Sequence, residues 1–365
     1  MKINYINLSE QYRNEKKDLL RIFNQVLHSG QYIGGKNVDL FENNIKKALK
    51  SKECVTLNSG TDALVLALHS LGIKKGDEII TTPNSFIAST AVIVHLGAIP
   101  IFVDVLDDQN MDPEQIEKKI TNKTKAIMPV HLTGRVCQMD KILKISKKYN
   151  LKVIEDAAQA IGSKLNNKFA GTFGDIGCFS AHPLKNLNAI GDSGYLVTNS
   201  TKNATLIRDL KNHGMTNRNI VKNFGFVSRM DSLQAAILNY RLKKIGKLIS
   251  SRRKNAKIYN EILNKKNVFI PKEKKNEFNT YHTFVVQVPN RNNLQKHLLK
   301  KNIQTAIHYP VPIHLQPAAK KLGYKKGDFP KTEKQAKTIL TLPVNQYLKE
   351  KEIAYISKVV NEFYE

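Results

Sequence analysis

The sequence has few cysteines, no long apolar run and few acidic side chains. Its three cysteines, Cys54, Cys137 and Cys178, lie far apart and form no CxxC pair. This usage argues against a disulfide framework and a zinc site, so we expect reduced thiols, no metal and a cytoplasmic location. No stretch approaches the roughly 20 apolar residues that cross a bilayer. The first residues also lack the apolar segment of a secretory signal, so we expect no membrane partner.

The shortage of acidic residues leaves a strongly basic chain. Lysine and arginine number 58 against 31 aspartates and glutamates, a formal net charge of +27. A nucleic-acid binder is one interpretation, and steeply salt-dependent binding to duplex DNA would support it. The lysine runs are scattered, however, and aromatic residues do not alternate with them as in a base-stacking groove. We therefore expect a basic surface without a nucleic-acid partner, whose field favours a phosphate-bearing small substrate.

The 365 residues suffice for two unequal cores, and the pattern changes along the chain. Two helices are predicted near 10–28 and 37–49. Between about 52 and 200, short β-rich runs alternate with amphipathic segments, which predicts an α/β fold with a doubly wound, mostly parallel sheet. One long helix over 231–262 follows, and then a more irregular α+β region. We expect a large domain over 1–244, including the N-terminal helices, and a smaller C-terminal domain over 245–365.

The first candidate site is the segment NSGTDALVLAL, which begins at Asn58. A strand ends, a Ser-Gly-Thr turn follows and a helix begins, so backbone N–H groups lie at the positive end of a helix dipole. Gly60 allows close approach, and the Thr61 hydroxyl can cap the helix or bind a phosphate oxygen. Ordinary helix capping is the alternative interpretation.

The second candidate site is the segment KVIEDAAQAIG, in which an apolar strand ends at Glu155 and Asp156. Ligands of doubly wound sheets bind at the carboxyl ends of the strands. A carboxylate there can bind a metal, a ribose or a protonated ring nitrogen, or it can cap the next helix. The strand alone does not separate these roles.

The third candidate site is the segment from Phe173 to Asn199, which contains Lys185 among glycine, asparagine and proline residues. Loop lysines are usually solvated, but this composition favours a tightly packed turn. A lysine becomes a nucleophile when burial or cationic neighbours favour its neutral form. A phosphate turn, a strand-end carboxylate and a constrained lysine are the groups that pyridoxal phosphate requires.

Several further motifs occur in the same order along most of the chain. With the three candidate sites, the sequence resembles the DegT/StrS family of sugar aminotransferases, which have the fold type I architecture of aspartate aminotransferase. The motifs that carry the resemblance are LSEQY, SGQYIGGKNVDLFE, NSGTDALVLAL, TTPNSFIAST, MPVHLTG, IEDAAQAIG, FSAHPLKNL, GFVSRMDSLQAAIL and HYPVPIHLQP.

The resemblance implies a role for each matched residue of the cofactor site. Lys185 matches the Schiff-base lysine, and Asp156 matches the acid that meets the pyridine nitrogen. Gln159 matches a glutamine near the cofactor 3-hydroxyl, and Gly60 and Thr61 match the phosphate turn.

Other matches are less direct, and one position departs from the family pattern. Ser180 matches a serine on the phosphate, and Phe86 matches an aromatic residue that stacks on the cofactor ring, although a core role is also open to Phe86. Relatives carry an asparagine at the position of Val227, which reaches the cofactor phosphate of the neighbouring subunit. This cross-subunit bond is therefore expected to be absent, with Ser228 or Arg229 as replacements.

Substrate contacts are predicted for the residues in family-like segments, although each histidine also suits a buried structural role. The candidates are His182, His308, His314 and Tyr281.

The resemblance implies a homodimer that transfers an amino group from L-glutamate to a keto group of a nucleotide-linked sugar, for surface polysaccharide. Four alternatives remain open at this point: a dehydratase, a cofactor-binding regulator without turnover, the nucleic-acid binder, and an aminotransferase for a keto sugar acid or another non-nucleotide ketone. Lys185 argues against the dehydratase, because that chemistry does without the lysine link.

Overall fold

A seven-stranded sheet forms the centre of the larger part of the protein. The computed structural model describes residues 2–365. The first nine strands are β1 (Glu53–Leu57), β2 (Glu78–Thr81), β3 (Ile99–Phe102), β4 (Thr124–Ile127), β5 (Lys152–Asp156), β6 (Lys164–Leu165), β7 (Lys168–Phe169), β8 (Ile176–Ser180) and β9 (Gly194–Thr198). The sheet contains all of these except β6 and β7, in the order β1-β9-β8-β5-β4-β2-β3.

The sheet is mostly parallel. Strands β3, β2, β4, β5 and β8 pair in parallel, whereas β9 runs antiparallel to both of its neighbours, β8 and β1. Helices cover both faces, so the strands are buried and their sequences are almost continuously apolar. The predicted α/β class and mostly parallel sheet are confirmed. The strands predicted at 99–105 and 125–131 end earlier, at Phe102 and Ile127.

Helices connect these strands and continue beyond them. They are α1 (Leu8–Ser29), α2 (Lys36–Leu49), α3 (Gly60–Ser70), α4 (Ala88–His95), α5 (Met139–Lys148), α6 (Thr201–Leu210), α7 (Ser232–Leu242), α8 (Ile245–Ile262), α9 (Arg291–Lys300), α10 (Pro330–Thr338) and α11 (Glu350–Glu362). Short 3₁₀ segments occupy Pro113–Gln115, Glu117–Lys119, Leu132–Gly134, Ile313–Leu315 and Pro317–Leu322. None of the helices within residues 2–365 has the length and apolar character needed to cross a membrane.

The prediction of one helix over 231–262 is wrong, because α7 ends at Leu242 and α8 begins at Ile245. The Lys244 N–H donates to the Arg241 carbonyl at 2.9 Å, which tightens the chain into a turn between the two helices. Helix α7 then packs on α1 and α2, whereas α8 packs on α11. The break separates the two cores.

A second, smaller core lies in the C-terminal part. The remaining strands are β10 (Met215–Asn217), β11 (Ile220–Val221), β12 (Glu277–Phe278), β13 (Phe284–Gln287) and β14 (Ile339–Leu342). Strands β13 and β14 pair antiparallel, and α8, α9 and α11 cover them. Ile3 also lies in this core, because the Ile3 N–H donates to the Asn302 carbonyl at 2.9 Å. The chain at Ile3 therefore packs with the smaller core.

Candidate active site

One cavity of about 420 Å³ lies where the carboxyl end of β5 and the N-terminus of α3 face the smaller core. Its position agrees with the general placement of ligands in doubly wound sheets. The cavity is lined by Tyr5, Ile6, Ser59, Gly60, Thr61, Leu64, Phe86, Ala88, Val130, Asp156, Ala158, Gln159, Ser180, His182, Leu184, Lys185, Asp192, Ser193, Arg252, His282, His308, Tyr309, Val344 and Asn345. All three candidate segments of the sequence therefore contribute to one site.

The two acidic residues at the end of β5 face opposite sides of the sheet, because side chains alternate along a strand. Asp156 lines the cavity and is 6% exposed. Its carboxylate accepts hydrogen bonds from the Ser89 hydroxyl at 2.6 Å and from the Ala158 N–H at 3.2 Å. These bonds fix the carboxylate while leaving it lone pairs that are free to face the cavity.

Glu155 is fully buried on the other side. Its carboxylate lies 2.8 Å from His131 Nε2 and accepts backbone N–H bonds from Gly171, Phe173 and Gly174 at 2.6–2.8 Å. Four partners satisfy this carboxylate completely, and His131 has a structural role as one of them. Of the two neighbouring acids, only Asp156 is available for ligand chemistry.

The turn before α3 is packed too tightly to accept a side chain. A Cβ atom on Gly60 would lie 2.7 Å from the Ser180 Cβ, and one on Gly194 would lie 2.2 Å from the Ser59 carbonyl carbon. The Ser59 hydroxyl caps α3 by accepting from the Asp62 N–H at 3.1 Å. The free N–H groups of the first helical turn and the Ser180 side chain thus face the same end of the cavity, as an anion site requires.

Lys185 lies in a closed turn, in which its N–H donates to the His182 carbonyl at 2.8 Å. The residue keeps partial exposure through the cavity, but protein surrounds its amine. Burial lowers the pKa of the Lys185 amine, and the negative charge of Asp156 opposes that shift. A lowered amine pKa increases the neutral, nucleophilic fraction of the lysine.

Gln159 and Phe86 both lie in the cavity wall next to Tyr309. The Gln159 side-chain oxygen accepts from the Thr133 N–H at 2.8 Å, and its amide group lies 3.5 Å from the Tyr309 hydroxyl. The Phe86 ring lies 6.1 Å from the Tyr309 ring and is 56% exposed, because the residue precedes α4 instead of belonging to it. Phe86 is therefore not a core residue, and an aromatic face is open to the cavity.

The four predicted substrate residues are divided between two locations. His182 and His308 line the cavity, whereas His314 and Tyr281 do not. Burial and the Lys185 charge lower the pKa of His308 to about 4. His314 is buried beside Glu333, with His314 Nε2 3.2 Å from the carboxylate. The Tyr281 ring packs near Phe284 of the smaller core.

Comparisons with known proteins cover almost the whole chain. The model of the "DegT/DnrJ/EryC1/StrS aminotransferase family" matches residues 13–361. This chain belongs to that family.

Two curated relatives cover the chain almost completely. The "Pleiotropic regulatory protein" of Geobacillus stearothermophilus is 39% identical over 100% of this chain and 99% of its own length. The "dTDP-3-amino-3,6-dideoxy-alpha-D-galactopyranose transaminase" of Aneurinibacillus thermoaerophilus is 38% identical over 99% of each chain.

Two solved structures of aminotransferases have the same fold. DesV of S. venezuelae, solved in complex with a ketimine intermediate, superposes with a TM-score of 0.97 at 32% identity over 100% of this chain and 99% of its own. NtdA of Bacillus subtilis, solved with bound cofactor PMP, superposes with a TM-score of 0.92 at 31% identity over 99% of this chain and 85% of its own. The present aminotransferase therefore uses pyridoxal phosphate.

The cavity of this aminotransferase fits that cofactor. The backbone cradle at Gly60 leaves no room for a side chain, as close approach of a phosphate requires. The buried Asp156 carboxylate would be available for a protonated ring nitrogen, and Lys185 would supply an amine for the aldehyde. When bound, pyridoxal phosphate supplies an electron sink for the carbon that exchanges the amino group. Ser180, Thr61 and Phe86, for which contacts with its phosphate and ring are predicted, line the same cavity.

The residues named as replacements for the usual asparagine are already engaged within the chain. Val227 itself is 52% exposed. The Ser228 hydroxyl donates to the Asn58 side chain at 3.1 Å, and the Arg229 guanidinium donates to the Asn212 side chain at 3.2 Å. The Ser228 hydroxyl is used within the chain as donor and acceptor, whereas the Arg229 guanidinium keeps unused donors, its Nε among them.

Sequence reasoning missed three contributors to this site: Ser89, Tyr309 and Arg252. Ser89 lies in the first turn of α4, within a segment that the resemblance had already included. Tyr309 belongs to the segment HYPVPIH, which is expected to face the sugar as a whole, without a role for this residue. Arg252 lies on a helix rich in lysine and arginine, so nothing in the pattern distinguishes it from the solvated residues around it.

Proposed function

We propose that this aminotransferase passes an amino group from L-glutamate to a keto group of a nucleotide-linked sugar, and that the product is an amino sugar for surface polysaccharide. The observation that carries the reaction is the convergence of Lys185, Asp156 and the Gly60 turn in one cavity. The substrate class is supported by the 38% identical transaminase of Aneurinibacillus thermoaerophilus, whose name specifies a dTDP-linked amino sugar.

The residues of the chain suit the proton transfers of such a reaction. The lowered pKa of Lys185 increases the neutral fraction of its amine, which would move a proton between the substrate carbon and the cofactor carbon. The Asp156 carboxylate, held by the Ser89 hydroxyl, would stabilise the proton on the cofactor ring nitrogen. The apolar wall at Leu64, Phe86 and Val130 limits the access of water.

The proposal can be tested by the visible spectrum of the purified, cofactor-loaded protein. L-Glutamate is expected to remove the absorption band of the lysine-bound cofactor, because the amino group moves to the cofactor. The correct nucleotide-linked ketosugar is expected to restore that band. A band that glutamate and other amino acids leave unchanged would instead favour a cofactor-binding regulator. Restoration by a free keto sugar acid alone would favour the non-nucleotide substrate.

We further propose that the protein is a homodimer located in the cytoplasm. Large apolar side chains are exposed on α1 and on the segment 220–227, including Phe23 at 42% and Phe224 at 100%. Apolar surface of this extent commonly marks an interface. The three cysteines are all free and buried, as suits a reducing compartment. Sedimentation is expected to give a species of twice 41.3 kDa. A fully active monomer would exclude the dimer.

A further inference from the structure

The wall that the smaller core contributes to the cavity contains a buried arginine with unused donors. Arg252 lies on α8, is 7% exposed and lines the cavity. One of its terminal nitrogens donates to the carbonyls of Tyr281 and His282 at 3.3 and 3.0 Å, and the other donates to the Gln346 side chain at 3.2 Å. A guanidinium has five N–H donors, so these contacts leave at least two of them unused. Its Nε is buried without a partner.

Arg252 also lacks a counter-ion among residues 2–365. No aspartate or glutamate oxygen in that range lies within 4 Å of its guanidinium, whereas the buried Arg241 pairs with Glu15 at 2.7 Å. The adjacent Arg253 pairs with Glu273, also at 2.7 Å. Burial lowers the pKa of Arg252 to about 10, so the group stays charged at neutral pH. A buried, unpaired cation is costly unless a ligand supplies the missing charge.

The groups around Arg252 add donors and no negative charge. His282 also lines the cavity, and its Nδ1 is buried without a partner. Tyr5 and His308 complete this part of the wall, and His308 Nδ1 lies 2.9 Å from the Thr341 hydroxyl. The complementary ligand is therefore an anion with acceptor oxygens.

The position of Arg252 favours a carboxylate over a phosphate. The Gly60 turn at the other wall already provides a site for the cofactor phosphate, and a nucleotide-linked sugar carries its own phosphates on the anomeric carbon, away from the keto carbon. Arg252 and His282 line the same cavity as Lys185; burial lowers the pKa of His282, and the charges of Lys185 and Arg252 lower it further. An anion bound by Arg252 would therefore share the cavity with the reacting amine, and the planar fork of arginine matches a carboxylate.

We propose that Arg252 binds the carboxylate of a substrate in the active-site cavity. The inference rests on the proposed function, since it assigns a subsite to the same cavity. Two sources share this chemistry: the carboxylate of an amino acid donor, and the carboxylate of a uronate sugar as acceptor. The structure assigns the carboxylate, and the experiment distinguishes its sources.

The test compares matched probes on the cofactor-loaded protein by calorimetric titration. Glutarate against its neutral diamide represents the donor, and UDP-glucuronate against UDP-glucose represents a uronate acceptor. The wild type is expected to bind the charged member at least tenfold more tightly in one pair, and Arg252→Gln is expected to reduce that preference about tenfold or more. Arg253→Gln, the same change one residue away, should leave the preference intact.

The ratio within a pair separates recognition from structural damage, because a misfolded cavity weakens both members alike. Arg252→Lys provides a second variant that keeps the charge, so it should retain part of the preference. Loss of preference in the glutarate pair identifies the donor, and loss in the sugar pair identifies the acceptor. A wild type without preference in either pair, or an Arg252→Gln protein that keeps it, overturns the proposal. A preference that depends on Arg252 in a protein that glutamate fails to bleach would leave this subsite standing while the proposed function falls.

Discussion

The two walls of the cavity differ in how far their polar groups are satisfied. On the wall formed by the end of β5 and the start of α3, the Ser89 hydroxyl and the Ala158 N–H hold the Asp156 carboxylate. Glu155, on the other face of β5, has four partners. On the opposite wall, Arg252 and His282 both keep buried atoms without a partner. A wall that holds a permanent cofactor benefits from fixed geometry, because a preorganised site needs no rearrangement during reaction. A wall that serves exchanging substrates must leave donors for them.

The largest effect on the transamination rate is expected from removing the Lys185 amine. Lys185→Ala should lower the transamination rate by about 10⁴-fold or more, because both the covalent link and the proton transfer are lost. Its free energy of unfolding should not fall, since a buried cation is removed. Single-turnover kinetics and urea unfolding measure the two effects. Lys202→Ala, an exposed control, should change neither; normal turnover in Lys185→Ala would contradict the assigned role.

Neutralising the cavity acid is expected to have the next largest effect. Asp156→Asn should reduce the rate by about 10²- to 10³-fold, since an amide does not stabilise a protonated ring nitrogen with its charge. Rates with saturating cofactor measure this loss. The exposed Asp140→Asn serves as the matched control. An equal loss in both variants would show that Asp156 has no special role.

The neighbouring acid should respond in stability instead. Glu155→Gln places an amide donor against backbone N–H donors in a fully buried site, which should cost about 3 kcal/mol of unfolding free energy. Urea denaturation measures this change. Glu114→Gln, at an exposed ion pair, should stay within about 0.5 kcal/mol of the wild type. If Glu155→Gln were as stable as the wild type, the contrast between the two acids would be lost.

On the wall that the smaller core contributes, His308 should make the free energy of unfolding depend on pH. Its pKa in the folded protein is about 4, below the value of about 6.5 in an unfolded chain. As the pH falls from about 6.5 to 4, His308 binds a proton in the unfolded chain but stays neutral in the folded protein. The free energy of unfolding therefore decreases, on the order of 2 kcal/mol. His308→Gln should lack this contribution in unfolding curves across that range, whereas the exposed His28→Gln should retain it. Identical pH profiles for wild type and His308→Gln would refute the assignment.

The smallest effect is expected at Val227, where a neighbouring subunit would contribute to the cofactor site. Val227→Asn restores the asparagine of the resembling family, and one added charge-assisted hydrogen bond should slow cofactor loss about tenfold. Dialysis followed by absorbance measures the retained cofactor. Val221→Asn, an exposed valine on β11, is the matched control. No gain in Val227→Asn would argue against an active site shared between subunits.

The contrast between the walls also separates what the sequence predicts from what it does not. The alternation of strands and helices predicts the sheet, and the ordered motifs place Asp156, Lys185 and the Gly60 turn at one edge, because parallel strands end together. The sequence does not show which of two adjacent acids faces the cavity, since that depends on the strand's orientation in the sheet. Nor does it distinguish Arg252 among the many cations of α8, because its lack of a partner is a property of distant segments that meet only after folding.

The anchoring of Glu155 has a consequence for how the reactive acid is positioned. Three backbone amides of the segment 171–174 and one imidazole hold this side chain on the far face of β5. Since neighbouring strand positions point in opposite directions, fixing one residue also fixes the direction of the next. A shift of β5 by one residue would turn Glu155 instead of Asp156 toward the cavity. The hydrogen bonds of the Glu155 carboxylate oppose that shift and so fix the register of the strand. The direction of the Asp156 side chain is thus set largely by hydrogen bonds of Glu155, which lie outside the substrate cavity.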